Sequence, residues 1–212
     1  MDIKVLPVLP VQRDMLLDLA AQPYPGKYHI AVQCELPKEH SLKQLVNSIE
    51  NLVAFTATFH LSFHHVKDQF IQIYNRQKSF KLEQVSTTQL ALSEWAMDWI
   101  IYPFDLHRDC LFRAAYVKAG DKQYLFIVLH HLVGDLTTVG LILNKIESLY
   151  LDKDRVEEYT FEQYTQWISS RIYNSESNQQ NAEFWQERLH KVEGKGLQYG
   201  SELGQQIGRA HV

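Results

Sequence analysis

The run Tyr124-Leu-Phe-Ile-Val-Leu129 is apolar at every position. A strand built from it has no face to give to water and belongs in the middle of a sheet. Leu111 to Lys118 precedes it across Gly120-Asp121, a two-residue spacing that reads as a hairpin. Directly after it, Leu136, Val139, Gly140, Leu143, Ile146 and Tyr150 fall at helical intervals. The unit strand, strand, loop, helix therefore organises the middle of the chain. The loop between the buried strand and the helix holds His130, His131, Gly134 and Asp135.

Elements of the same two periods surround that unit. Pro10 stands near the start of a helix within Leu6 to Leu19, where its missing donor costs little. Tyr28, Ile30, Val32, Cys34 and Leu36 alternate with polar or small residues, as in a half-buried strand. Ser41 with Gln44 forms a capping pattern ahead of the apolar stripe Leu42, Leu45, Val46, Ile49, Leu52 and Val53. Thr58 to Phe63 and Gln69 to Tyr74 read as strands joined around Val66-Lys67-Asp68, with Phe80 to Val85 as a third. Leu90 to Ile101 reads as a helix that stops before Pro103. Thr160 and Gln163 cap a further helix carrying Trp167, and a polar linker, Asn174 to Asn181, leads to a last helix with Phe184, Trp185 and Leu189. Five of the nine glycines crowd into the final 19 residues, which have no apolar period. The expected fold is α/β (α+β), a two-layer sandwich with one sizeable mixed sheet covered by helices. Its single lobe would occupy residues 1–190, with 191–212 a glycine-rich linker or truncated tail.

Composition limits the function. At net charge −4 the chain has no basic footprint for nucleic acid, and no apolar run approaches the ~18 residues of a membrane span. Two cysteines without CxxC spacing argue against a disulfide framework and for a reducing, cytoplasmic setting. His60, His64 and His65 have no carboxylate or Cys at ligand spacing and read as exposed hairpin residues, with no metal bound. The four tryptophans sit on helical stripes and read as core.

Two readings of the histidine loop stand side by side. Histidine exchanges protons near neutral pH, so one imidazole can take or hold the proton of an attacking amine while the other is buried and the carboxylate fixes the loop. Alternatively, backbone hydrogen bonds satisfy both imidazoles, and Asp135 merely caps the helix that follows.

His130-His131-x-x-x-Asp135 resembles the HHxxxD(G) motif of nonribosomal peptide synthetase condensation domains and other chloramphenicol acetyltransferase-like enzymes. Pro103-Phe104-Asp105-Leu106, followed by Leu111 and Arg113, resembles the family's PFDL…L.R segment. Leu9-Pro-Val-Gln-Arg-Asp-Met-Leu16 is similar to its opening segment, and Tyr164 to Trp167 and Phe184-Trp185-x-x-x-Leu189 to the elements that close its first lobe. The mid-chain place of the histidines resembles the N-terminal lobe of a two-lobed condensation domain, not the single-lobed acetyltransferase with its motif near the C-terminus.

The resemblance implies that His131 is catalytic, His130 its structural neighbour and Asp135 the residue that orders the loop, with Gly134 and Leu136 beside the substrate channel. It implies amide formation between a thioester donor and an amine acceptor, both on phosphopantetheine arms of carrier domains, with no cofactor of the lobe's own. The implied partners are those carrier domains and a C-terminal lobe. Two departures stand out. Leu136 occupies the motif's glycine position, and Thr56 stands where the family has an arginine that pairs with the aspartate. Arg113 or Arg108 is then the expected substitute partner of Asp135, and Asp105 is a secondary, structural residue. The departures raise two alternatives, a catalytically silent carrier-binding module of the same fold and an oligomeric small-molecule acyltransferase.

Overall fold

The computed structural model describes residues 3–75, 80–153 and 176–189. By its internal contacts the chain divides into two compact units, Met1–Ser169 and Ser170–Val212. The expected helix near Thr160, with Trp167, and the glycine-rich tail lie outside the described residues.

The first unit contains two sheets where the sequence suggested one. Strands β1 (Ile3–Pro7), β4 (Gln69–Asn75) and β3 (Leu61–Val66) form an antiparallel sheet in the order β1-β4-β3. Strands β2 (His29–Glu35), β7 (Lys122–His130), β6 (Phe112–Ala119) and β5 (Glu83–Thr87) form the other in the order β2-β7-β6-β5, with β5 parallel to β6 and the remaining pairs antiparallel. The apolar strand β7 is thus interior, as its sequence requires. Its odd positions Leu125, Ile127 and Leu129 join the core cluster that holds helices α2 (Leu42–Phe55) and α4 (Leu136–Tyr150). Its even positions Tyr124 and Phe126 join a second cluster under helix α3 (Leu92–Ile101), where Trp95 and Trp99 stack at 5.6 Å and Trp95 meets Phe126 edge-on at 5.3 Å.

Both tight hairpins follow from their turn residues. Lys67 and Asp68 take φ of 47° and 61°, the pair of left-handed residues that lets a two-residue turn match the strand twist. Gly120 takes φ of 63° between β6 and β7. Ser41 caps α2 by accepting from the Gln44 N–H.

Five expectations change. Residues 57–60 form a 3-10 turn, so β3 begins at Leu61 and not at Thr58. Phe80 to Val85 is not a third strand of the β3–β4 hairpin; the strand starts at Glu83 and pairs with β6 in the other sheet. Leu90 precedes α3 and is 96% exposed. In the second unit, helix α5 (Glu176–Leu189) begins inside the expected linker, because its Gln, Glu and Ala residues are good helix formers despite their polarity. Trp185 on α5 is 57% exposed and is not a core residue.

Candidate functional site

Helix α1 (Pro10–Ala21), the start of β2, the end of β7 and the start of α4 meet around residues 130–135. Strand β7 ends at His130, whose N–H still reaches Leu111 O at 3.1 Å. The chain then turns. Val133 N–H donates to His130 O at 3.0 Å, and His131 N–H donates to Tyr28 O at 2.7 Å. Gln12, buried on α1, clamps the turn by donating its Nε2 to Leu132 O at 2.9 Å while its Oε1 accepts from Leu9 N–H.

The two imidazoles sit in opposite environments. His130 is 2% exposed. Its Nδ1 accepts from Leu132 N–H at 3.2 Å, which requires the proton to sit on Nε2. Burial, with His29 and His131 as neighbours, pushes its pKa down to about 3, so it is neutral at physiological pH. His131 is half-buried. Its Nδ1 lies 2.8 Å from Gly134 O, and a carbonyl only accepts, so the neutral ring carries its proton on Nδ1 and keeps the Nε2 lone pair. One imidazole is buried and neutral, while the other is half-buried with its Nδ1 engaged.

Asp135 caps α4. Its Oδ1 accepts from Thr138 N–H and from the Thr138 hydroxyl, both at 2.8 Å, and Thr138 Oγ1 accepts from Asp135 N–H at 3.1 Å. These hydrogen bonds hold the carboxyl below its usual range. The residue is solvent-exposed, so the cost of an unpaired buried carboxylate does not arise where Thr56 replaces arginine. Thr56 itself donates its hydroxyl to Leu52 O at 2.6 Å.

The expected pairing of Asp135 with Arg113 or Arg108 is not formed. Arg113 donates to Tyr102 O at 2.6 Å, and its guanidinium lies over Phe104 at 4.2 Å and near the Trp99 and Tyr102 rings at 5.5 Å each. Arg108 faces Asp105 at 3.9 Å with its side chain in solvent. Asp105 accepts from His107 N–H at 2.9 Å within its own turn.

Gly134 and Leu136, expected beside a channel, differ in kind. A Cβ on Gly134 would fall 2.8 Å from Thr138 Cγ2 and 2.9 Å from Leu129 Cδ1, so the crowding of these two side chains around the turn favours glycine there. Leu136, first residue of α4, is 77% exposed.

The sequence missed His29 and Tyr28. The alternation of β2 put His29 on its polar phase. Paired antiparallel, it lies opposite His130, with ring centroids 5.9 Å apart, and packs edge-on against Phe104 at 4.9 Å. Its Nδ1 donates to Ile100 O at 2.7 Å, and burial lowers its pKa. Phe104 lines two cavities. One of about 360 Å³ is lined by Pro23, Tyr24, Lys27, His29 and His130. The other, about 430 Å³, is lined by Glu83, Trp99, Tyr102, Cys110 and Arg113.

Elsewhere, His60 is buried with its Nε2 bonded to Val53 O at 2.9 Å, contrary to the expectation of an exposed hairpin residue. Among the described residues no three His, Cys, Asp or Glu side chains come together as metal ligands, and no helix is long and apolar enough to cross a membrane.

Known proteins share this fold. Residues 2–196 match the family model of the condensation domain. The chain is 24% identical over 185 residues to tyrocidine synthase 2 of Brevibacillus parabrevis, covering 86% of this chain and 5% of that protein. It is 23% identical over 181 residues to surfactin synthase subunit 2 of Bacillus subtilis (strain 168), covering 84% and 5%. Among solved structures, the starter condensation domain of rhizomide synthetase superposes with a TM-score of 0.75 at 17% identity, over 89% of this chain and 48% of that one. The structure of a condensation domain that mediates chain release from the enacyloxin polyketide synthase superposes with a TM-score of 0.71 at 19% identity, over 89% and 39%. The chain therefore spans about half of a solved condensation domain and a small fraction of a synthase. With the family model covering nearly the whole chain and the fold shared besides, the chain belongs to the condensation-domain family.

Proposed function

We propose that the chain is the N-terminal lobe of a condensation domain that joins a carrier-bound thioester donor to a carrier-bound amine acceptor in nonribosomal peptide synthesis. The observation that carries this reading is His131, with Nδ1–H tied to Gly134 O and the Nε2 lone pair left to the reaction. In that reaction the amine nitrogen attacks the thioester carbonyl, a C–N bond forms and the C–S bond breaks. His131 Nε2 takes or holds the amine proton, which ends on the departing sulfur. The carrier domains supply the phosphopantetheine arms, and a C-terminal lobe covers the site. Joined to such a lobe and supplied with both carriers, His131→Ala abolishes amide formation. Near-wild-type turnover in that variant removes the assignment.

A second reading, a silent carrier-binding module, draws on Leu136 at the motif's glycine position, projecting from the start of α4. Binding of a carrier protein without His131-dependent transfer supports it; any His131-dependent transfer excludes it.

A further inference from the structure

We infer that Tyr28 is a positioning residue for His131 and that Asp18 on α1 is its anchor. The inference rests on the role proposed for His131 and names what holds that residue in place.

Tyr28 has φ of 62°, a left-handed conformation that a bulky aromatic residue rarely takes. Three contacts keep it there. Its hydroxyl donates to Asp18 Oδ2 at 2.6 Å. Its carbonyl accepts the His131 N–H at 2.7 Å, just past the last regular pair of the β2–β7 ladder, His29 with His130. Its ring meets that of His131 edge-on at 6.4 Å and lies tilted against His130 at 6.3 Å.

Asp18 is fixed in turn. Lys27, whose side chain is almost fully buried, pairs with Asp18 Oδ2 at 2.8 Å and donates to the Asp18 and Gln22 carbonyls at the end of α1. The bond to Asp18 pushes the Tyr28 hydroxyl up to about 12, so it remains a donor throughout the physiological range. A run of contacts therefore leads from α1 through the Tyr28 hydroxyl and backbone to the amide of His131. Released from Asp18, residue 28 relaxes toward negative φ. Its carbonyl turns away from β7, and His131 loses the bond that sets its distance to Gly134.

Nuclear magnetic resonance of the 15N-labelled chain tests this without reference to turnover. Two-bond nitrogen–proton correlations identify the tautomer of each imidazole, and hydrogen exchange reads the His131 amide. The wild-type His131 ring is expected as the Nδ1–H tautomer. In Tyr28→Phe and in Asp18→Ala, the Nε2–H tautomer gains population and the His131 amide exchanges about tenfold faster, the loss of roughly one hydrogen bond. Asp18→Asn keeps an oxygen for the Tyr28 hydroxyl and restores the wild-type pattern. Unchanged His131 signals in Tyr28→Phe and Asp18→Ala overturn the inference, as does an equal change at His29 and His130, which would report general loosening. Should Tyr28→Phe fail to fold, Asp18→Ala decides the matter, since Asp18 is a partly exposed helical residue. Unaltered spectra beside an inactive His131→Ala enzyme would sink the positioning role alone.

Discussion

At the scale of single residues, the loop after β7 is fixed by hydrogen bonds at His130, His131, Leu132 and Asp135. His131 cannot turn its ring without giving up Gly134 O, and a side chain added at Gly134 would meet Thr138 and Leu129. Gly134→Ala is accordingly expected to cost about 1–3 kcal/mol, the usual penalty for overpacking. Urea unfolding checks it as a lower midpoint with an unchanged slope. Adding Thr138→Ser removes the nearer methyl while keeping the capping hydroxyl, and should recover part of the loss. The sequence located His131, His130 and Asp135 through one motif. It placed Gly134 beside the channel through the resemblance, and the steric need for glycine between Leu129 and Thr138 came only from the structure.

At the scale of elements, α4 is held at its start by the reciprocal bonds of Asp135 and Thr138. Asp135→Ala should lower the thermal midpoint by the equivalent of about 1 kcal/mol, while Asp135→Asn, another good cap, leaves it nearly unchanged. A far larger loss in Asp135→Ala would mean that the carboxylate carries a buried charge interaction, which its exposed position contradicts. Helices α2 and α4, strand β2 and both hairpins were legible because an amphipathic period or a turn residue marks each one. Strand β5 was misplaced for a physical reason. A parallel partner comes from a distant segment, so Glu83–Thr87 carries no hairpin signal that points to β6. Helix α5 was read as partly linker because polarity hid its propensity.

At the scale of the whole molecule, the buried imidazoles make folding sensitive to acid. The His130 pKa is about 3 when folded, against about 6.5 for an unperturbed imidazole. Below pH 6.5 the unfolded chain takes up a proton that the folded chain refuses. Stability is therefore full above that pH and falls as the pH drops toward 3, by up to about 1.4 kcal/mol per unit. His29, also lowered by burial, adds a contribution of the same sign. Unfolding free energies at pH 7, 6 and 5 should show the decline, and His130→Gln should flatten it whatever its effect on absolute stability. An equally steep decline in that variant would contradict neutral burial of His130.

Local order alone determined that β7 is interior, that a hairpin leads into it, that a capped helix follows, and that a histidine pair stands where strand gives way to loop. Those properties depend on periodicity, turn chemistry and capping, which act over a few residues. Tertiary structure alone decided that His29 faces His130, that Gln12 and Tyr28 hydrogen-bond the loop after β7, and that Arg113 stacks on Phe104 instead of pairing with Asp135. The first two are meetings of segments about a hundred residues apart, and the third depends on how the loop after α3 folds back onto β6. Alternation tells which residues share a face, whereas cross-strand register and loop packing tell what that face will meet.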